Sequence, residues 1–233
     1  MLSLKDQFLC LIAFCLAGAC LTACGDRPPT KPAGTADAAS SKTETEVANS
    51  ITIIRTLEER VRENPEDFVA YTKLSGYYLQ RLRETGDANY LDLASRAAKA
   101  SLKILPAENN PGALGALAQV EFAAHNFTAA REHAAQLVAM EPRKAFSYQI
   151  LGESLLELGN YEQAAEVFEQ MQQWGGNGIG AQARLARFDW VRGKTDNARR
   201  RLENALDQAL AEVPVSPETV AWCRWQSGEF AFA

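Results

Sequence analysis

Gly175-Gly176-Asn177-Gly178-Ile179-Gly180 has the glycine density of a loop whose bare amides could cradle a phosphate. Such a loop needs a strand before it and a Lys-Ser/Thr step at its end, and here it follows a helical pattern and has neither. A connection between helices is the expectation. His125 and His133 are the only histidines, one in a turn and one inside a helical pattern, with no His-Glu-x-x-His spacing to hold a metal. There is no Gly-x-Ser-x-Gly elbow and no Cys-His arrangement for a nucleophile. Glu157, Glu162 and Glu166 read as solvated helix faces. Arg199-Arg200-Arg201, with Arg184, Arg187, Arg192 and Lys194, is the one basic concentration, but Asp189, Asp196, Glu203 and Asp207 interrupt it. With a formal net charge of −5, nucleic acid is not an expected partner, and no catalytic residue, metal or cofactor is expected.

The spacing that does point to chemistry lies near the start. Lys5 precedes an apolar run from Phe8 to Leu21, the length of a secretory h-region and short of the roughly 20 residues that span a membrane. It ends in Leu21-Thr22-Ala23-Cys24, which resembles the lipobox of bacterial lipoproteins. That resemblance implies cleavage after residue 23, a thioether-linked diacylglycerol on Cys24 and an acyl chain on its freed amine. At about 0.8 kcal/mol per buried methylene, two or more chains hold a protein on a bilayer stably. Gly25 rather than Asp follows Cys24, which in the enterobacterial sorting pattern implies the outer membrane, facing the periplasm. Cys10, Cys15 and Cys20 would leave with the leader and Cys24 would be consumed by lipid, so Cys223 is the only thiol expected in the mature chain, and it reads as a small buried apolar residue. From Cys24 to Asn49 the chain is rich in Pro, Thr, Ser, Ala and Lys, which cannot bury enough surface to offset ordering entropy and reads as a flexible linker.

Beyond it, about 185 residues are enough to bury a core. Residues 50–233 keep a helical period broken by Pro and Gly, with no alternating strand pattern, so the class is all-α. Residues 51–63 carry Ile51, Ile54, Leu57 and Val61 on one face, a leading helix. Asn64-Pro65-Glu66-Asp67 and Ser216-Pro217-Glu218 carry the cap, proline and acid that mark helix starts.

Residues 145–174 hold Tyr148, Leu151-Gly152, Leu155, Gly159-Asn160-Tyr161, Ala164-Ala165 and Phe168. Gly152 would let a second helix approach closely, Gly159-Asn160 turns the chain, and Phe168 fills the gap beneath. The set resembles the tetratricopeptide repeat. The pattern recurs 34 residues earlier, with Leu117-Ala118, His125-Asn126 and Ala130, and 34 later, with Leu185-Ala186, Gly193-Lys194 and Ala198. The repeats are about 66–106, 111–142, 145–174 and 179–213, the first with about seven extra residues that a longer turn or longer helices must absorb. In 216–233 Gly228-Glu229-Phe230 resembles the Gly159-Asn160-Tyr161 turn, and Trp222, Trp225, Phe230 and Phe232 suggest either a truncated array or a partner-covered end. The resemblance implies a right-handed α-solenoid of about ten stacked helices.

It also implies a partner-binding groove on the inner face of the first helices. By a 100° step per residue that stripe comprises Val69, Thr72, Gly76 and Leu79; Gly112, Gly115, Gln119 and Phe122; Phe146, Gln149, Glu153 and Leu156; and Arg187 and Trp190. The aromatics among them could equally pack between helices. Thr72, Gly115, Gln119 and Gln149 do not form the basic clamp with which some members grip a terminal carboxylate. The expected function is therefore a non-catalytic scaffold, lipid-anchored in the cell envelope and binding an envelope protein. The alternatives are a fragment of a larger secretion or polysaccharide-biogenesis protein, or a receptor for a glycan or peptide.

Overall fold

The computed structural model describes residues 35–175, 178–212 and 217–232, with side chains from Asn49 onward apart from 217, 218 and 232. Cys24 and the leader lie outside the described residues. Ten α-helices and no strand occur among the described residues: α1 (Thr35–Glu63), α2 (Phe68–Thr85), α3 (Asn89–Ile104), α4 (Pro111–Ala123), α5 (Phe127–Met140), α6 (Ala145–Glu157), α7 (Tyr161–Gln173), α8 (Ile179–Val191), α9 (Thr195–Ala211) and α10 (Pro217–Phe232). Helices α2/α3, α4/α5, α6/α7 and α8/α9 pack as hairpins, and each hairpin stacks on the next.

The leading helix is longer than the expected 51–63. It starts at Thr35, inside the stretch assigned to a linker and after Pro32, the last proline of that stretch. Its C-terminal half buries Leu57 and lays Ile54 and Val61 against the first repeat, and Tyr78 donates to Glu58 at 2.7 Å. Burial and that bond together raise the Tyr78 pKa.

The start of α2 also differs by three residues from the expected one. Asn64 accepts from the Glu66 amide in a turn, and the cap is Asp67, which accepts from the Ala70 amide at 2.9 Å and pairs with Arg60. The backbone bond and the guanidinium lower the Asp67 pKa. A carboxyl whose pKa is depressed by folding stabilises above its unfolded value of about 3.9 and loses that contribution as pH falls through the folded one. Denaturant melts from pH 6 to pH 2 should therefore show a shallower acid loss in Asp67→Asn than in the parent.

The extra residues of the first repeat lengthen α2 to 18 residues, against 13 in α4, α6 and α8. In the other repeats the turn is one conformation repeated. His125, Gly159 and Gly193, each 34 residues after the last, stand at φ 58°, 78° and 74°. An L side chain is strained there, and the His125 ring offsets this by lying edge-on to Phe127 at 5.5 Å. His125→Gly is expected to raise the stability of the array by about 0.5 kcal/mol in urea melts.

The core follows the same period. Ala118, Gly152 and Ala186 on the first helices, and Ala130, Ala164 and Ala198 on the second, are all buried. Cys223 is fully buried, as expected, and burial pushes its thiol pKa up.

At the far end the resemblance of Gly228-Glu229-Phe230 to a turn is not realised. The helix α10 runs through it to Phe232, and Phe230 is buried against α8 and α9 beside Ala186, Ala198 and Leu202.

Candidate functional site

The residues of the expected inner stripe fall into three groups. Val69 and Phe146 are open to solvent, 43% and 41% exposed, although both are large and apolar. Gly76 and Gly112 are exposed beside them; a Cβ on Gly76 would meet nothing within 4 Å, and one on Gly112 only the Thr72 methyl at 3.6 Å. Val69 on α2 and Phe146 on α6 are thus exposed apolar side chains, with bare backbone at Gly76 and Gly112. Gln119 on α4 is half-buried.

A second group is taken up in packing: Leu79, Leu156 and Gly115 are buried, against the expectation, while Phe122 and Trp190 are half-buried and follow the packing alternative. Leu79 and Leu156 are 4% and 6% exposed and sit in the packed clusters of the first and third repeats, because near the end of each first helix the stripe turns inward between hairpins. Gly115 is buried under Phe146, where a Cβ would stand 3.1 Å from the ring and 3.3 Å from Leu137. Trp190 stacks on Phe230 with centroids 5.1 Å apart and planes 10° apart, and Phe122 packs edge-to-face on Phe127 at 5.3 Å. Both rings therefore fasten helices together.

The third group is ionic. Arg184 Nε donates to Glu153 at 2.9 Å, and the Gln149 carboxamide, with its oxygen turned to Arg184, accepts from Nε at 3.1 Å and Nη2 at 2.6 Å. Arg187 pairs with Glu157, whose side chain is 6% exposed. Glu157 is thus an interior ion-pair partner and not the solvated face expected of it. Arg187 also pulls on the carboxylate of Glu229 in α10, against the desolvation that raises its pKa. Arg201 donates to Asp189 at 2.8 Å and to Gln182 at 3.3 Å, so the basic concentration seen in sequence is partly spent inside the fourth repeat, while Arg199 and Arg200 stay exposed.

Sequence reasoning missed one polar cluster. Asn110 is buried, caps α4 by accepting from the Ala113 amide, and donates through Nδ2 to Ser101 Oγ at 3.0 Å and the Leu105 carbonyl at 3.3 Å. Ser101 in turn donates to the Phe68 carbonyl at 2.8 Å and shares a bond with Thr72, which takes Thr72 out of the open stripe. The signal was Asn-Pro at residues 110–111, a cap followed by proline at the first helical position.

His133 pairs with Glu121 at 2.7 Å, and no group of three His, Cys, Asp or Glu side chains able to hold a metal occurs among the described residues. A crevice of about 640 Å³ runs over the outer helices α5 and α7, floored by Leu151 and Leu155 and flanked by Arg131 and Glu166.

No family model and no curated protein matches the chain. Solved structures do. A thermophilic tetratricopeptide protein of Thermus thermophilus aligns with a TM-score of 0.64 at 16% identity over 82% of this chain and 95% of its own. The stacked hairpins, the 34-residue period and this alignment agree. The chain has the tetratricopeptide-repeat fold. The ten helices of the described residues thus form a right-handed α-solenoid. The Cut9 and Hcn1 hetero-tetramer of the APC/C aligns with a TM-score of 0.66 at 16% identity over 78% of this chain and 33% of that one. The protein pilF of Pseudomonas aeruginosa gives 0.54 at 14% identity over 81% and 84%. At these identities the likeness is one of tetratricopeptide architecture.

Proposed function

We propose that the chain is a non-catalytic scaffold, anchored in a bacterial cell envelope by lipid on Cys24, that takes a protein partner on the inner face of its tetratricopeptide array. The observation that carries the binding half is that Val69 and Phe146, on the stripe expected to face inward, stay exposed, with bare backbone at Gly76 and Gly112 where the missing Cβ atoms let a ligand backbone come close. An extended or helical segment with apolar anchors suits these residues. Arg184 and Arg187 are paired with Glu153 and Glu157. The tetratricopeptide structure of Cut9 with Hcn1 is a precedent for the architecture holding another protein.

The anchoring half rests on Leu21-Thr22-Ala23-Cys24 after the apolar leader. No helix among the described residues is long and apolar enough to cross a membrane. With Gly25 after the cysteine, the reading favours the outer membrane of a Gram-negative host, with the array in the periplasm.

Both halves can be tested in one strain. Cys24→Ser should move the protein from the membrane to the soluble fraction, and the parent should carry acyl mass on its N-terminal peptide. Membrane association that persists in the variant, with no acyl mass on the parent, removes the anchor. Crosslinking in intact envelopes should capture a protein that Val69→Asp loses while keeping its melting curve. Equal capture by a folded variant moves the interface off the inner face.

A further inference from the structure

We infer that one copy of this chain docks the outward face of its α10 in the outer crevice of a second copy. Helix α10 buries Val220, Cys223 and Phe230 along one stripe, so its opposite side points away from the array. That side carries Trp222 and Trp225, three residues apart and 37% and 40% exposed, with Ala221 and Arg224 exposed beside them. Two large aromatic side chains left in water on one helix make an apolar patch that gains by being covered.

The crevice over α5 and α7 offers the complementary surface. Its floor is Leu151 and Leu155, with Ala135 and Val167 on its sides, and at about 640 Å³ it lies within the size range of binding clefts. One wall is acidic. Helix α7 places Glu162, Glu166 and Glu169 four and three residues apart, hence on one stripe, all three exposed, and it contains no Lys or Arg. Arg131 on the facing wall is already matched by Glu132 at 3.3 Å. Among the described residues, neither Arg224 nor the three glutamates of α7 makes an ion pair.

An aromatic helix face with a free cation thus meets an apolar floor beside a free acidic wall. Trp225 settles over Leu151 and Leu155, and Arg224 reaches the glutamate stripe. Within one copy α10 packs on α8 and α9, so the match is made between copies. The two surfaces differ, which makes the contact heterologous and lets it run head to tail from copy to copy. Two indoles bury about 300–500 Å² on their side, less than a permanent dimer buries, so the association is reversible and depends on concentration.

A benzophenone amino acid in place of Ala221 tests this in intact cells making the full-length chain. Irradiation should give a covalent dimer whose linked peptide comes from α5, α6 or α7. Glu166→Arg and Arg224→Glu should each lower its yield by about threefold or more. Combined in one chain they should restore it, because every contact then carries the same pair reversed. Trp222→Ser/Trp225→Ser should abolish the dimer, and the charge swap, made at exposed positions, decides the matter if that variant does not fold. The absence of a dimer, a dimer linked from α10 to α10, links to a different protein alone, or a double charge swap no better than either single overturns the docking.

Discussion

Replacing Gly152 by alanine should lower the stability of the array by about 1–3 kcal/mol, a large effect for adding one methyl group. A Cβ built there stands 2.7 Å from Phe168 Cε1 and 2.9 Å from two further ring atoms. Phe168 is 1% exposed and also packs on Phe188, so the ring has nowhere to swing. The methyl must therefore force α6 and α7 apart or push the ring off its rotamer. Urea melts by circular dichroism would measure the loss, and for a chain of this size it corresponds to roughly 2–4 °C of melting temperature per kcal/mol. The coupled test is Gly152→Ala with Phe168→Leu. The smaller side chain alone leaves a gap, and the added methyl fills part of it, so the double variant should lose less than the sum of the two singles. Strict additivity would show that the contact does not limit the approach of the helices.

Asn110→Ala should cost about 2–3 kcal/mol, because it removes a helix cap and leaves buried partners without bonds at once. The lost acceptor strands the Ala113 amide, and the lost donor strands the Leu105 carbonyl and one bond of Ser101. Since Ser101 connects to the Phe68 carbonyl and Thr72, damage should spread from α4 back to α2. Amide hydrogen exchange would locate it: protection should fall around residues 101–113 and at the start of α2, and remain in α8 and α9. Asn110→Asp keeps the acceptor, so it should retain the cap and lose only the donor bonds. A variant as stable as the parent would mean that water satisfies these groups.

Repetition made the fold legible in the sequence. Small residues at 118, 152 and 186, alanines at 130, 164 and 198, and turns at 125, 159 and 193 all keep one period, and each records a local requirement: a close crossing, a second close crossing, a left-handed backbone. Requirements met within one hairpin leave their trace within one hairpin's sequence. The same logic explains the errors. The start of α1 at Thr35 lies in a stretch whose composition reads as linker, and the cap at Asp67 competes with Asn64 three residues earlier for the same role.

The candidate site was legible only in part. Helical geometry selects a stripe, and Val69 and Phe146 on it are indeed open. Which stripe residues stay open depends on neighbours 25 to 40 residues away. Gly115 is covered because Phe146 lies in the next repeat, Trp190 is used because Phe230 reaches it from α10, and Arg187 is paired because Glu157 stands on α6.

The sequence by itself determined the helical hairpin, its period and the turns at 125, 159 and 193, since each is written in residues close along the chain. Only the tertiary structure decided which inner-face side chains are spent on holding repeats together and which stay open to solvent. Stacking brings together groups a whole repeat apart, and complementarity at that range is set by the angle between hairpins, which no single stretch of sequence encodes.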